Sequence, residues 1–98
     1  MNKSYYIYII SCTNNSVFYT GITNNLIRRM YEHKNKLTDG YSAKYNLDKL
    51  LHFEECPDPR SAIEREKQIK KYSQKKKIGL ISIDNPRMKD LYDEILNW

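Results

Sequence analysis

Apolar side chains crowd the start of the chain in two runs split by a polar tetrapeptide. The first run, Tyr5 to Ser11 (YYIYIIS), interleaves tyrosine with isoleucine and carries no charge. Apolar residues on both alternating sets of positions predict a strand covered on both faces. Thr13-Asn14-Asn15-Ser16 then supplies turn chemistry, since asparagine tolerates positive φ. The second run, Val17 to Ile22 (VFYTGI), predicts a partner strand, and the pair reads as a hairpin. Gly21 inside it signals a bulge or a close approach to the backbone.

After the hairpin the period changes. Thr23, Asn24 and Asn25 offer N-caps for a helix running to about Lys36. Leu26, Ile27, Met30 and Leu37 cluster on one side of its wheel as the buried stripe. Thr38-Asp39-Gly40 ends it, and Tyr41 to Asn46 reads as a polar, aromatic loop. Leu47 to Glu55 (LDKLLHFEE) predicts a third strand. Pro57-Asp58-Pro59 breaks the chain and starts a helix from about Arg60 to Tyr72. Lys75 to Ile83 predicts a further short helix, stopped by Asn85-Pro86, and Arg87 to Asn97 a last helical turn or two. The order β-β-α-β-α-α predicts an α+β fold, a three-stranded, mainly antiparallel sheet with helices packed on it. With no internal repeat, low-complexity tract or linker, residues 1–98 are expected to form a single domain.

Composition narrows the function classes. No run approaches about 18 apolar residues, so no membrane span is expected. Met1, Asn2, Lys3 and Ser4 lack the apolar stretch and cleavage site of a signal peptide. Cys12 and Cys56 stand far apart and outside any motif, as free thiols of a cytoplasmic protein do. The net charge is +5, and its excess is local. Lys67, Lys70, Lys71, Lys75, Lys76 and Lys77 fall within eleven residues, a stripe that attracts polyanions or simply solvates a helix face. An RNA-binding face would want aromatic stacking partners there, and Tyr72 alone supplies one.

Chemistry enters with a handful of side chains. Glu66 falls between Ala62, Ile63 and Ile69, on the apolar side of its helix. A carboxylate drawn toward a core must be paired or hold a metal, and the alternative is an i,i+4 pair with Lys70. Arg29 and His33 are four apart and share an edge of the Leu26/Met30/Leu37 stripe. An arginine there can clamp a phosphate and offset transition-state charge. A histidine beside it can exchange a proton near neutral pH. The alternatives are a solvated charge and a boundary histidine. Tyr8 shares a strand face with Tyr6 and Ile10. Pairing through the Thr13–Ser16 turn would put it beside Tyr19 at similar height. Both rings can equally be core with hydroxyls at the rim, but beside a guanidinium and a cation a phenol's anion becomes more accessible. Arg28 reads as solvated. His52 has no obvious partner, and the spacing of Lys44, Tyr45 and Asn46 assigns them no ligand. The chain has no zinc-type spacing and, with three glycines, no phosphate-binding loop.

Taken together, these residues resemble the GIY-YIG nuclease family. Tyr6-Ile7-Tyr8 stands where the family has Gly-Ile-Tyr, and Tyr19-Thr20-Gly21 where it has Tyr-Ile-Gly. Tyr6 and Thr20 are the departures. The eleven-residue step from Tyr8 to Tyr19 and the ten-residue step to Arg29 fit the pattern, with His33 four further on. Glu66 falls at the position of the metal-binding glutamate, and Asn85 is similar to an asparagine that follows it. The segment Arg65 to Lys71 looks like the small stand-alone bacterial members related to the nuclease module of the excision-repair protein UvrC. The resemblance implies a fold, a metal-dependent endonuclease activity on DNA, and a setting in repair or recombination on branched or damaged DNA. It further implies one divalent cation, Mg²⁺ or Mn²⁺, held by Glu66. Tyr8, Tyr19, Arg29, His33 and Glu66 would be catalytic, with Tyr8 taking a proton from water, helped by Tyr19 or His33. Gly21 and Asn85 would be structural, and the lysine stripe would bind nucleic acid. The alternative is a module that keeps the nuclease fold and grips nucleic acid or a protein partner without cutting. A partner protein would then supply targeting.

Overall fold

A strand that is apolar at every position needs cover on both faces and both edges, and the first strand, β1 (Tyr5–Ser11), is the middle one of three. β2 (Phe18–Thr23) and β3 (Lys49–Cys56) flank it, both antiparallel, in the order β2-β1-β3. The structure is a computed structural model that describes residues 4–38 and 40–98. Met1, Asn2 and Lys3, considered above for a leader, and Asp39 of the helix stop lie outside the described residues.

The remaining elements are α1 (Leu26–Lys34), α2 (Tyr41–Lys44), α3 (Pro59–Lys70), α4 (Gln74–Asp84) and α5 (Tyr92–Ile95). Each longer helix begins at a side-chain cap. Asn25, Asp58 and Ser73 accept from the backbone N–H of Arg28, Ser61 and Lys76, which satisfies an amide that would otherwise lack a partner.

The alternation of β1 divides the interior into two cores. Tyr8 and Ile10 face Leu26 and Met30 of α1 and Ile95 of α5. Ile7 and Ile9 face Ala62 and Ile69 of α3 and Ile81 of α4. Each fully buried Ile or Leu is worth about 1.5–3 kcal/mol over an exposed one. The register of β1 with β3 slips between Ile9 and Ile10, which pair with His52 and Leu50. The extra residue, Leu51, is a bulge. The pairing of β1 with β2 runs unbroken through Gly21, so Gly21 is not a bulge.

Local details depart from the expected pattern. α1 stops at Lys34; Lys36 adopts a left-handed φ of 55° and Leu37 N–H donates to Glu32 O at 2.8 Å. The chain therefore leaves the wheel before Leu37, which is 64% exposed instead of lining the stripe. Tyr41 to Lys44 is a short helix, where a loop was expected, and Ile63 of α3 is exposed, outside the buried stripe. Asn85 is buried; its amide donates to Leu51 O and Lys89 O, and its oxygen accepts from Lys89 N–H. It ties the chain after α4 to β3.

Candidate functional site

Tyr8 is placed by its neighbour across the hairpin. It pairs with Gly21, and a Cβ there would come within 2.4 Å of the Tyr8 Cζ and hydroxyl oxygen. Only a hydrogen at that position lets the phenol lie across β2. Tyr19 projects from the same face but pairs with Ile10. The two phenols therefore sit diagonally, not at the same height. The Tyr8 hydroxyl meets His33 Nε2 at 3.1 Å in a buried contact. His33 Nδ1 lies 3.5 Å from Thr38 Oγ1, which is 2.9 Å from Ser42 Oγ. A chain of exchangeable protons thus runs from β1 through α1 to α2.

Arg29 sits one turn before His33. Its Nη1 approaches Glu32 Oε1 at 3.5 Å. Its Nε is buried and has no hydrogen-bond partner among the described residues. Orphaned buried donors are uncommon and call for a partner. Here the missing partner is an acceptor. Tyr8, Tyr19, Arg29 and His33 line one cleft of about 390 Å³, with Arg28, Glu32, Leu37, Thr38 and Ser42 completing its walls. Arg28 is exposed at the rim.

Glu66 comes from the opposite side of the sheet. Its side chain is 17% exposed and its Oε2 lies 3.6 Å from Lys70 Nζ, so the carboxylate is both drawn inward and paired. It does not line the cleft, yet its charge acts on the Tyr8 phenol together with those of Tyr19, Arg29 and Glu32. The Lys70 ammonium, one turn on, is 5.9 Å from the Tyr19 ring centre. The rotation of α3 is set by a cluster that spacing did not reveal. Arg65 donates from Nε and Nη2 to both oxygens of Glu54 at 2.8 and 3.0 Å, and His52 Nε2 lies 2.8 Å from Glu54 Oε2. His52 is therefore partnered after all. Arg65 and Glu66 flank the buried Ala62/Ile69 stripe on opposite sides, so anchoring one aims the other.

Burial pushes the Tyr8 phenol well above its ordinary value. The Tyr19 phenol reinforces this, and the opposing pull of the Arg29 charge is too weak to reverse it. The guanidinium alone therefore does not make the Tyr8 anion more accessible than in water. Burial, then the Arg29 guanidinium, lower the His33 pKa, with Glu32 opposing. Near neutral pH the pair is a protonated phenol beside a neutral imidazole.

No three acidic, histidine or cysteine side chains gather as a metal cage among the described residues. A single half-buried carboxylate still suits a hard cation that keeps most of its waters and takes substrate phosphate oxygens. The lysines do not act as one stripe. Lys70 turns toward Tyr19, whereas Lys67, Lys71 and Lys76 line a separate groove of about 530 Å³ with Glu64, Gln68 and Tyr72. Lys75 is exposed and Lys77 half-buried, and neither lines that groove. Glu32, Thr38 and Ser42 escaped notice in the sequence. Only the i,i+3 spacing of Arg29 and Glu32 carried a local signal.

A family model described as the GIY-YIG catalytic domain matches residues 4–78. The chain is 43% identical to a UPF0213 protein of Haloquadratum walsbyi over 79% of its length and 85% of the relative's. It is 37% identical to a UPF0213 protein of Clostridium perfringens over 92% and 96%. A UPF0213 protein from Bacillus halodurans, solved by solution NMR, superposes with a TM-score of 0.56 at 25% identity. That match covers 89% of this chain and 92% of the other.

Proposed function

The chain belongs to the GIY-YIG family, in its small UPF0213 branch, and on that premise we propose that it is a divalent-metal-dependent endonuclease hydrolysing DNA phosphodiester bonds. One observation carries the reading. A tyrosine and a histidine joined by a buried hydrogen bond line the same cleft as an arginine whose buried Nε has no acceptor among the described residues.

Each residue takes a role its surroundings allow. Arg29 binds the scissile phosphate with its guanidinium and steadies the charge that builds on its oxygens. Tyr8 is protonated at rest, so it acts as a relay. It accepts a proton from the attacking water as it passes its own to Nε2 of neutral His33. In the tautomer protonated at Nδ1, His33 donates to Thr38 Oγ1, which leaves Nε2 free to accept. The Tyr19 phenol stands at the cleft wall as a second hydroxyl for the phosphate. Glu66 would hold the cation, Mg²⁺ or Mn²⁺. The cation when bound supplies Lewis-acid stabilisation of the phosphate and the leaving oxygen.

The test is a nicking assay with single-stranded, duplex and branched DNA in Mn²⁺ or EDTA. Metal-dependent cutting is expected, reduced about 10²-fold or more in both Arg29→Ala and Glu66→Ala. Salt-sensitive binding with no cutting of any substrate would establish instead a non-cleaving module on the nuclease fold.

A further inference from the structure

An aromatic row leads out of the cleft along α2. The Tyr41 ring centre lies 6.3 Å from that of Tyr19, and Tyr45 lies 4.7 Å beyond Tyr41. Tyr41 and Tyr45 are four apart, at the start of α2 and at its C-cap, so they share a side. Neither is buried: Tyr41 is 50% exposed and Tyr45 40%. An ammonium stands at each end of the row. Lys70 Nζ is 5.9 Å from the Tyr19 centroid and Lys44 Nζ 5.4 Å from that of Tyr45. Past Tyr45 opens a further hollow of about 370 Å³, walled by Cys12, Thr13, Asn14, Ser16, Val17 and Asn46. The row thus links the cleft that Tyr19 and Arg29 line to the hollow that Tyr45 lines.

Rings half open to solvent keep part of their faces free for a ligand. Contacts to a duplex backbone need charge and hydrogen bonds, not open π faces. Half-exposed rings flanked by cations suit a base whose own face is free. In a duplex the bases already stack on one another, and extracting one costs unstacking energy. We propose that Tyr41 and Tyr45, continuing from Tyr19, form a stacking platform for unpaired bases, so that the strand entering the cleft is single-stranded DNA. The proposal rests on the nuclease reading for the identity of the polymer and on the row itself for the unpaired state.

The experiment is equilibrium binding of the full chain to a fluorescent oligonucleotide in EDTA, where no cutting occurs. The probes are single-stranded DNA, the same sequence as duplex, as RNA, and as a strand with abasic sites. Single-stranded DNA is expected to bind tightest. Tyr41→Ala and Tyr45→Ala are each expected to weaken it about fivefold or more, the size of one lost base–ring stack. Tyr41→Phe and Tyr45→Phe keep the ring and are expected to bind normally. On the abasic strand the alanine variants should match the parent. Equal or tighter binding of duplex or RNA, or phenylalanine variants as weak as the alanine ones, overturns the proposal. A parallel incubation with Mn²⁺ separates the two readings. Ring-dependent binding without cutting overturns the nuclease alone, whereas cutting with ring-independent binding overturns the platform alone.

Discussion

Two polar atoms are buried without a partner among the described residues, Arg29 Nε and Thr20 Oγ1. The first belongs to a residue that lines the cleft. Thr20 alternates with Tyr19 and Gly21, pairs with Ile9, and so lies on the other face of the sheet. There its hydroxyl gives up water and gains nothing. Thr20→Val keeps the shape and removes the orphan, and is expected to stabilise the fold by about 1 kcal/mol. A urea titration should show a higher midpoint at unchanged slope; an equal or lower midpoint would mean that the hydroxyl finds an acceptor. Of the five residues singled out by type and spacing, Tyr8, Tyr19, Arg29 and His33 line one cleft and Glu66 does not. The orphans were not legible in the sequence, because an unpaired donor is defined by everything around it. Nor was the ionisation of Tyr8, where burial outweighs the guanidinium that spacing had placed beside it.

At the scale of elements, the starts of α1, α3 and α4 were legible, whereas α2, the start of α5 and the end of α1 were not. Asn25, Asp58 and Ser73 cap through their own side chains, a local property. The end of α1 depends on a left-handed Lys36 and a backbone bond back to Glu32, which no side-chain pattern encodes. The clamp between β3 and α3 belongs to this scale as well. The hydrogen bond from His52, then the pairing with Arg65, hold the Glu54 carboxyl down at about 2, against 4.5 ordinarily. With the folded value below the unfolded one, the unfolded chain binds the proton first as pH falls. The stabilisation is therefore complete above about 4.5 and lost between there and about 2. Comparing Glu54→Gln with the parent in denaturant across that range isolates the effect. The stability difference is expected to shrink by about 1–2 kcal/mol as pH drops, with the partial exposure of the pair allowed for. A difference that stays constant with pH would remove Glu54 as the anchor of α3.

For the molecule as a whole, charge is sorted by direction. Lys70 faces the Tyr19 side, and Lys67, Lys71 and Lys76 line a groove of their own beyond it. A strand that crosses this groove on its way to the cleft meets three ammonium groups. Replacing all three with glutamine is expected to weaken DNA binding and flatten the log–log salt slope by about 2, at ~0.7 per phosphate contact on a single strand. The melting temperature should stay constant, since these side chains are exposed. An unchanged salt slope would place the strand elsewhere. Apolar patterning and side-chain caps suffice to specify three strands, the starts of the three longer helices and their order, since each acts within a few residues of itself. The convergence of a phenol from β1 with a guanidinium and an imidazole from α1 in one cleft, and the aim of the α3 carboxylate that lies outside it, are different. They depend on the hairpin register that seats Tyr8 over Gly21 and on the Glu54–Arg65 clamp that turns α3. Those contacts join residues 13 and 11 positions apart, and they form only when the sheet and its helices pack together.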